Sequence, residues 1–95
     1  MNVIDGKTVA RDLLIRAEVH RQSGNHLEEA VFCAAAHLLD PELVPALRAA
    51  MIADCRDMPG LTRQLVVRAL EREKDPRTRD RLLTIQDSLD ALEQH

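Results

Sequence analysis

Cys33 and His37 stand four residues apart in the segment GNHLEEAVFCAAAHLLDP. On a helix that spacing puts a thiol and an imidazole on one face, within common reach of a metal ion. His20 and His26 flank the turn just before, and Cys55 lies further along the chain. A Cys/His site can be assembled from these residue types. However, there is no Cys-x-x-Cys pair, and the spacings match no zinc motif. The plainer roles are Cys33 packed as a small apolar group and His37 as a cap or a solvated side chain. No metal or cofactor is therefore expected.

Nucleophilic catalysis has less support. Cys33 or Cys55 would need a depressed pKa and an oriented base. The sequence offers no glycine-rich phosphate loop and no recognisable source of an oxyanion hole. The carboxylates read as caps and surface charges, and His95 is terminal. The chain is expected not to be an enzyme.

Basic residues gather between Arg63 and Arg81, where seven Arg and Lys face four acids. Around RDMPGLTRQ this permits a helix-turn-helix, with Arg63, Gln64 and Arg68 toward a major groove. A small DNA-binding regulator is thus the alternative function. The net charge of −3, the lack of a basic arm and the break at residues 57–60 speak against it. No nucleic acid is expected as a partner, and the basic stretch reads as solvated helix faces.

The elements that would carry these residues are helical. The 95 residues suffice for a single domain, residues 1–95, with one modest core. There is one Phe and no Tyr or Trp, while Ala, Leu, Arg and Glu dominate, a composition that suits helices and not sheets. No apolar run approaches a membrane span, and the N-terminus MNVIDGKTVARDL lacks a signal-peptide pattern. No membrane partner is expected, and the cytoplasm is the expected location. Two cysteines are too few for a disulfide framework.

Apolar spacing predicts helices over about residues 8–22, 25–39, 45–56, 61–73 and 77–92. Gly24 reads as a left-handed stop, and Asn25 with Glu28 as a capping box. Asp40-Pro41 and Asp75-Pro76 read as start signals. The second helix is apolar around most of its surface, which predicts cover on more than one side. Short turns make neighbouring helices antiparallel. The expected fold is all-α with about five helices, in two antiparallel hairpins and a C-terminal capping helix.

The two Asp-Pro pairs lie 35 residues apart. A helix pair with Pro near its end resembles the tetratricopeptide repeat, whose period is about 34 residues. Ala17, Gly24, Ala36 and Pro41 fit that pattern in the first unit, whereas Arg16 and Glu29 depart from it. The second unit keeps its length, a Pro59-Gly60 turn and Pro76. A plain five-helix bundle is the competing architecture. The repeat reading requires helices one and three to stack side by side.

In such arrays the first helix of each unit lines a concave surface that accepts a peptide or helix. The register nominates Leu14, Glu18 and Arg21 in unit one, and Ala49, Ile52 and Ala53 in unit two, as partner-binding residues. Leu82, Leu83 and the last helix come next. A core of Ala and Leu has few large anchors, so a partner could supply missing apolar contact and the free chain would be marginally stable.

One family shares more local detail. Gly24-Asn25-His26, Glu28-Glu29-Ala30 and Cys33-Ala34 resemble the first hairpin of the tetratricopeptide-like cytoplasmic co-chaperones of type III secretion needle subunits. Asp75-Pro76-Arg77, opening DPRTRDRLLTI, is similar to that family's final helix. Together these stretches cover about a third of the chain. The resemblance implies a non-enzymatic chaperone in a hetero-oligomer. Such a protein holds the C-terminal amphipathic helix of a self-assembling needle subunit, together with a second small chaperone, and prevents premature polymerisation.

Overall fold

The computed structural model describes residues 5–93 and forms all five helices. They are α1 (Gly6–Gln22), α2 (His26–Leu39), α3 (Ala46–Cys55), α4 (Pro59–Arg72) and α5 (Pro76–Glu93). The described residues contain no strand. α1 starts two residues before the expected position because Asp5 caps it: its carboxylate accepts from the Lys7 backbone N–H (3.1 Å) and the Thr8 hydroxyl (3.3 Å).

Gly24 takes the left-handed conformation (φ 78°) that ends the first hairpin's turn. The expected Asn25–Glu28 capping box is absent, and the Asn25 amide instead donates to His20 Nδ1 (3.2 Å). His20 is drawn there because its ring stacks on Phe32, the only aromatic residue, at 5.2 Å. Asp40 acts as a start signal, accepting from the Glu42 and Leu43 N–H groups, but it opens only a single turn. Pro45 then precedes α3. Pro59 and Gly60 do not form a turn. Pro59 occupies the first position of α4, where its missing N–H costs nothing, and Asp57 carries the reversal at φ 59°. At the last junction Asp75 accepts from both the backbone and the hydroxyl of Thr78, which starts α5.

α1 with α2 and α3 with α4 form the two hairpins, and α2 joins them by packing on α3. α5 packs on α4. Extensive contact thus links only consecutive helices. The radius of gyration, 14.1 Å, exceeds the roughly 12 Å of a compact chain of this length, and the extents are 49 × 31 × 20 Å. The helices form an elongated layer. α1 and α3 make little direct contact, although both pack on α2. They face each other across an open depression.

Among the described residues, ten of the sixteen buried apolar side chains are alanines. One contiguous cluster runs from Ala10 through Cys33, Val44, Ala50 and Val66 to Leu82, so all five helices share it. Small side chains let backbones approach closely, but each buries little area. The few larger groups, led by Leu82, Val44 and Val66, therefore matter disproportionately. In α5 the expected stripe holds at Leu82, Ile85 and Leu89, while Leu92 is exposed. α2 is covered by α1 and α3 but not on its third side. The two packed sides meet the expectation of cover on more than one side, while Leu27, Val31, Leu38 and Leu39 stay exposed.

Candidate functional site

α3 is the centre of the site because α1 and α5 flank it and its outer face has no covering helix. Three depressions lie along that face. The first, about 460 Å³, is walled by Arg11, Leu14, Ile15 and Glu18 of α1 and by Arg48 and Ile52 of α3. Buried Ala17, Glu29 and Cys33 form its floor. The second, about 590 Å³, is the most apolar and lies over Leu47, Met51 and Ile52. The third, about 310 Å³, runs between Leu47, Met51 and Cys55 of α3 and Arg81, Thr84 and Ile85 of α5. Arg48 and Ile52 belong to the first and second, and Leu47, Met51 and Cys55 to the second and third. The three therefore adjoin one another around α3 and together make the trough, a surface that spans α1, α3 and α5.

The nominated residues divide accordingly. Leu14, Glu18 and Ile52 come together in the trough. Ala49 and Ala53, 1% and 0% exposed, lie beneath it in the shared core and present no surface. Arg21 stands outside the walls, hydrogen-bonded to Glu18 through Nε at 2.8 Å. This bond draws the Glu18 carboxyl below its ordinary range, and Arg48 adds a weaker pull in the same direction. Leu82 is fully buried and Leu83 is not among the lining residues, so α5 contributes Arg81, Thr84 and Ile85 instead. Arg48 was not nominated from sequence. It lies four residues before Ile52 on the same face, which is the signal that could have found it.

Glu29, the residue that departs from the repeat pattern, has a structural partner. It is 5% exposed and takes two hydrogen bonds from Arg56, the one from Nε at 2.9 Å. Arg56 caps the end of α3, so this ion pair ties the first hairpin to the second beside the trough.

The chemistry-bearing residues of the first hairpin are otherwise engaged. His37 is buried with both ring nitrogens in use: Nδ1 donates to the Val44 carbonyl (2.7 Å), and Nε2 accepts from Arg68 Nε (3.4 Å). Burial pushes the Cys33 thiol up from its ordinary pKa, which disfavours the thiolate. Among the described residues no three His, Cys, Asp or Glu side chains converge as a metal site. His95 lies outside the described residues. Thiol titration of the native protein should show one fast group, exposed Cys55, and a second only after denaturation. Two fast thiols in the native state would contradict this burial of Cys33.

Two of the three nucleic-acid candidates have side-chain partners within the chain. Arg63 pairs with Asp90 (2.6 Å) and Glu93 (3.1 Å) of α5, and Arg68 meets His37, leaving Gln64 exposed. The connection between α3 and α4 is three residues, shorter than the expected break. No helix among the described residues is long and apolar enough to cross a membrane. Compared with known proteins, the chain matches no family model, no curated protein and no solved structure.

Proposed function

We propose that this chain is a non-enzymatic interaction domain, a small chaperone or adaptor that holds a helical segment of a partner protein in the trough over α3. The observation that carries the reading is that three adjoining depressions line the uncovered face of α3. They make a largely apolar surface between α1 and α5, with charged side chains at its ends and Arg48 at its centre. A helix about 10 Å in diameter lays its apolar face onto such a surface. The resemblance to needle-subunit co-chaperones specifies the partner: a self-assembling type III secretion needle subunit, held in the cytoplasm with a second small chaperone. Under this reading the free chain self-associates or melts at low temperature, because Met51 and Ile15 stay exposed until the partner covers them.

Co-expression with a needle subunit tests it. Leu14→Asp and Ile52→Asp should abolish capture, since truncating an interface anchor already costs more than about 1 kcal/mol. Arg21→Ala should weaken capture only slightly, because a rim charge mainly alters the association rate. Cys55 on the trough wall should become protected from alkylation in the complex. Circular dichroism of each variant alone distinguishes lost binding from lost folding. Folded Asp variants that still capture the subunit would place the site elsewhere.

A further inference from the structure

The trough is basic on a chain that is acidic. Its walls carry Arg11, Arg48, Arg56 and Arg81 against Glu18, Glu29 and Asp54, a local excess of one positive charge, while the whole chain carries −3. The pairing sharpens this contrast. Glu29 is neutralised by Arg56, and Glu18 is held by Arg21 from outside the walls. Among the described residues Arg11, Arg48 and Arg81 form no ion pair, and Asp54 is the only lining acid without one. Arg48 is exposed and central, bordering both the first and the second depression. Arg11 and Arg81 stand at the two ends, on α1 and α5.

We propose that the trough selects an acidic amphipathic helix, whose apolar face lies on Leu14, Met51 and Ile52 and whose flanking carboxylates meet Arg48 at the centre and Arg11 and Arg81 at the ends. This rests on the helix-holding reading above and narrows it to a partner of defined charge. Guanidinium forks suit the task because they bind carboxylates bidentately and lose less hydration than an ammonium would. Like-charge contacts reject a basic helix, so the trough discriminates as well as attracts.

The test uses three labelled peptides of about 15 residues, roughly 22 Å of helix. All carry Leu on one face at helical spacing, and their flanking positions are all Glu, all Gln or all Lys. Fluorescence anisotropy against the full chain should show the Glu peptide binding roughly fivefold or more tighter than the Gln peptide, and the Lys peptide weakest. The preference should shrink as salt rises from about 0.05 to about 0.5 M. Arg48→Glu should reverse the order of the Glu and Lys peptides. Arg77→Glu, which changes net charge equally but lies outside the trough, should leave the order intact. Three peptides binding alike, or Arg48→Glu acting no differently from Arg77→Glu, overturn the charge selection and leave the helix-holding reading standing. Failure of all three to bind overturns both.

Discussion

Leu82→Ala is expected to lower the unfolding free energy by about 3–5 kcal/mol, the upper range for removing a buried leucine. Leu82 is fully buried and heads the largest buried side chains of a core otherwise built mostly of alanine. Its α5 neighbours offer little compensation. Ile85 is only partly buried, and Leu89 is the one other buried residue on that helix. Close-packed neighbours relax only partly into the vacated space, so much of the cavity stays open and the cost sits high. A chain of this size has roughly 5–14 kcal/mol to lose, so the variant approaches unfolding near body temperature. Urea denaturation followed by circular dichroism measures it. An unchanged slope with a lower midpoint means the whole chain unfolds together, and a shallower slope means α5 detaches first. Leu82→Met should cost less than about 1.5 kcal/mol because it conserves volume. Half-exposed Leu83→Ala should cost still less. A Leu82→Ala loss under 1 kcal/mol would contradict the packing described.

Most of the fold was legible because helix boundaries are written locally. Gly24, Asp40 and Asp75 act where they stand, through a positive φ or a carboxylate beside free N–H groups. Misreadings arose where a residue has two local uses. Proline and glycine in sequence suggest a turn, yet Pro59 is equally suited to a helix's first position, and the reversal moved to Asp57. Asn25 is a good cap by type, but a tertiary contact between His20 and Phe32 redirected its side chain. The site was legible only in part for a geometric reason. Leu14, Glu18 and Ile52 were placed by helical periodicity, which fixes a face to within about one residue. Ala49 and Ala53 lie just around the helix from Ile52, and that small rotation decides between trough and core. Periodicity also says nothing about partners far away in sequence, so the Glu29–Arg56 pair was invisible. What looked like a flaw in a repeat pattern is the cross-link between hairpins.

That cross-link should respond asymmetrically to truncation. Glu29 is almost wholly enclosed, whereas the Arg56 side chain is 23% exposed and sits at the end of α3. Removing Arg56 strands a carboxylate beneath the trough, where water reaches it poorly. Removing Glu29 leaves a long guanidinium that can turn outward to solvent. Arg56→Ala is therefore expected to cost about 3–5 kcal/mol, the range for an uncompensated buried charge, and Glu29→Ala roughly 1–2 kcal/mol. The combined change Glu29→Leu with Arg56→Ala should recover much of the loss, because an apolar group at position 29 has no charge to desolvate and adjoins Cys33 and Ile52 in the trough. A double-mutant cycle built from Glu29→Ala and Arg56→Ala should give a coupling of about 2 kcal/mol in urea denaturation. The pair also sets how the two hairpins meet, so Arg56→Ala should weaken peptide binding in the trough even under conditions where circular dichroism shows it folded. Additive single losses, or an Arg56→Ala cost no greater than that of Glu29→Ala, would mean that solvent screens the pair and that alanine packing alone holds the hairpins together.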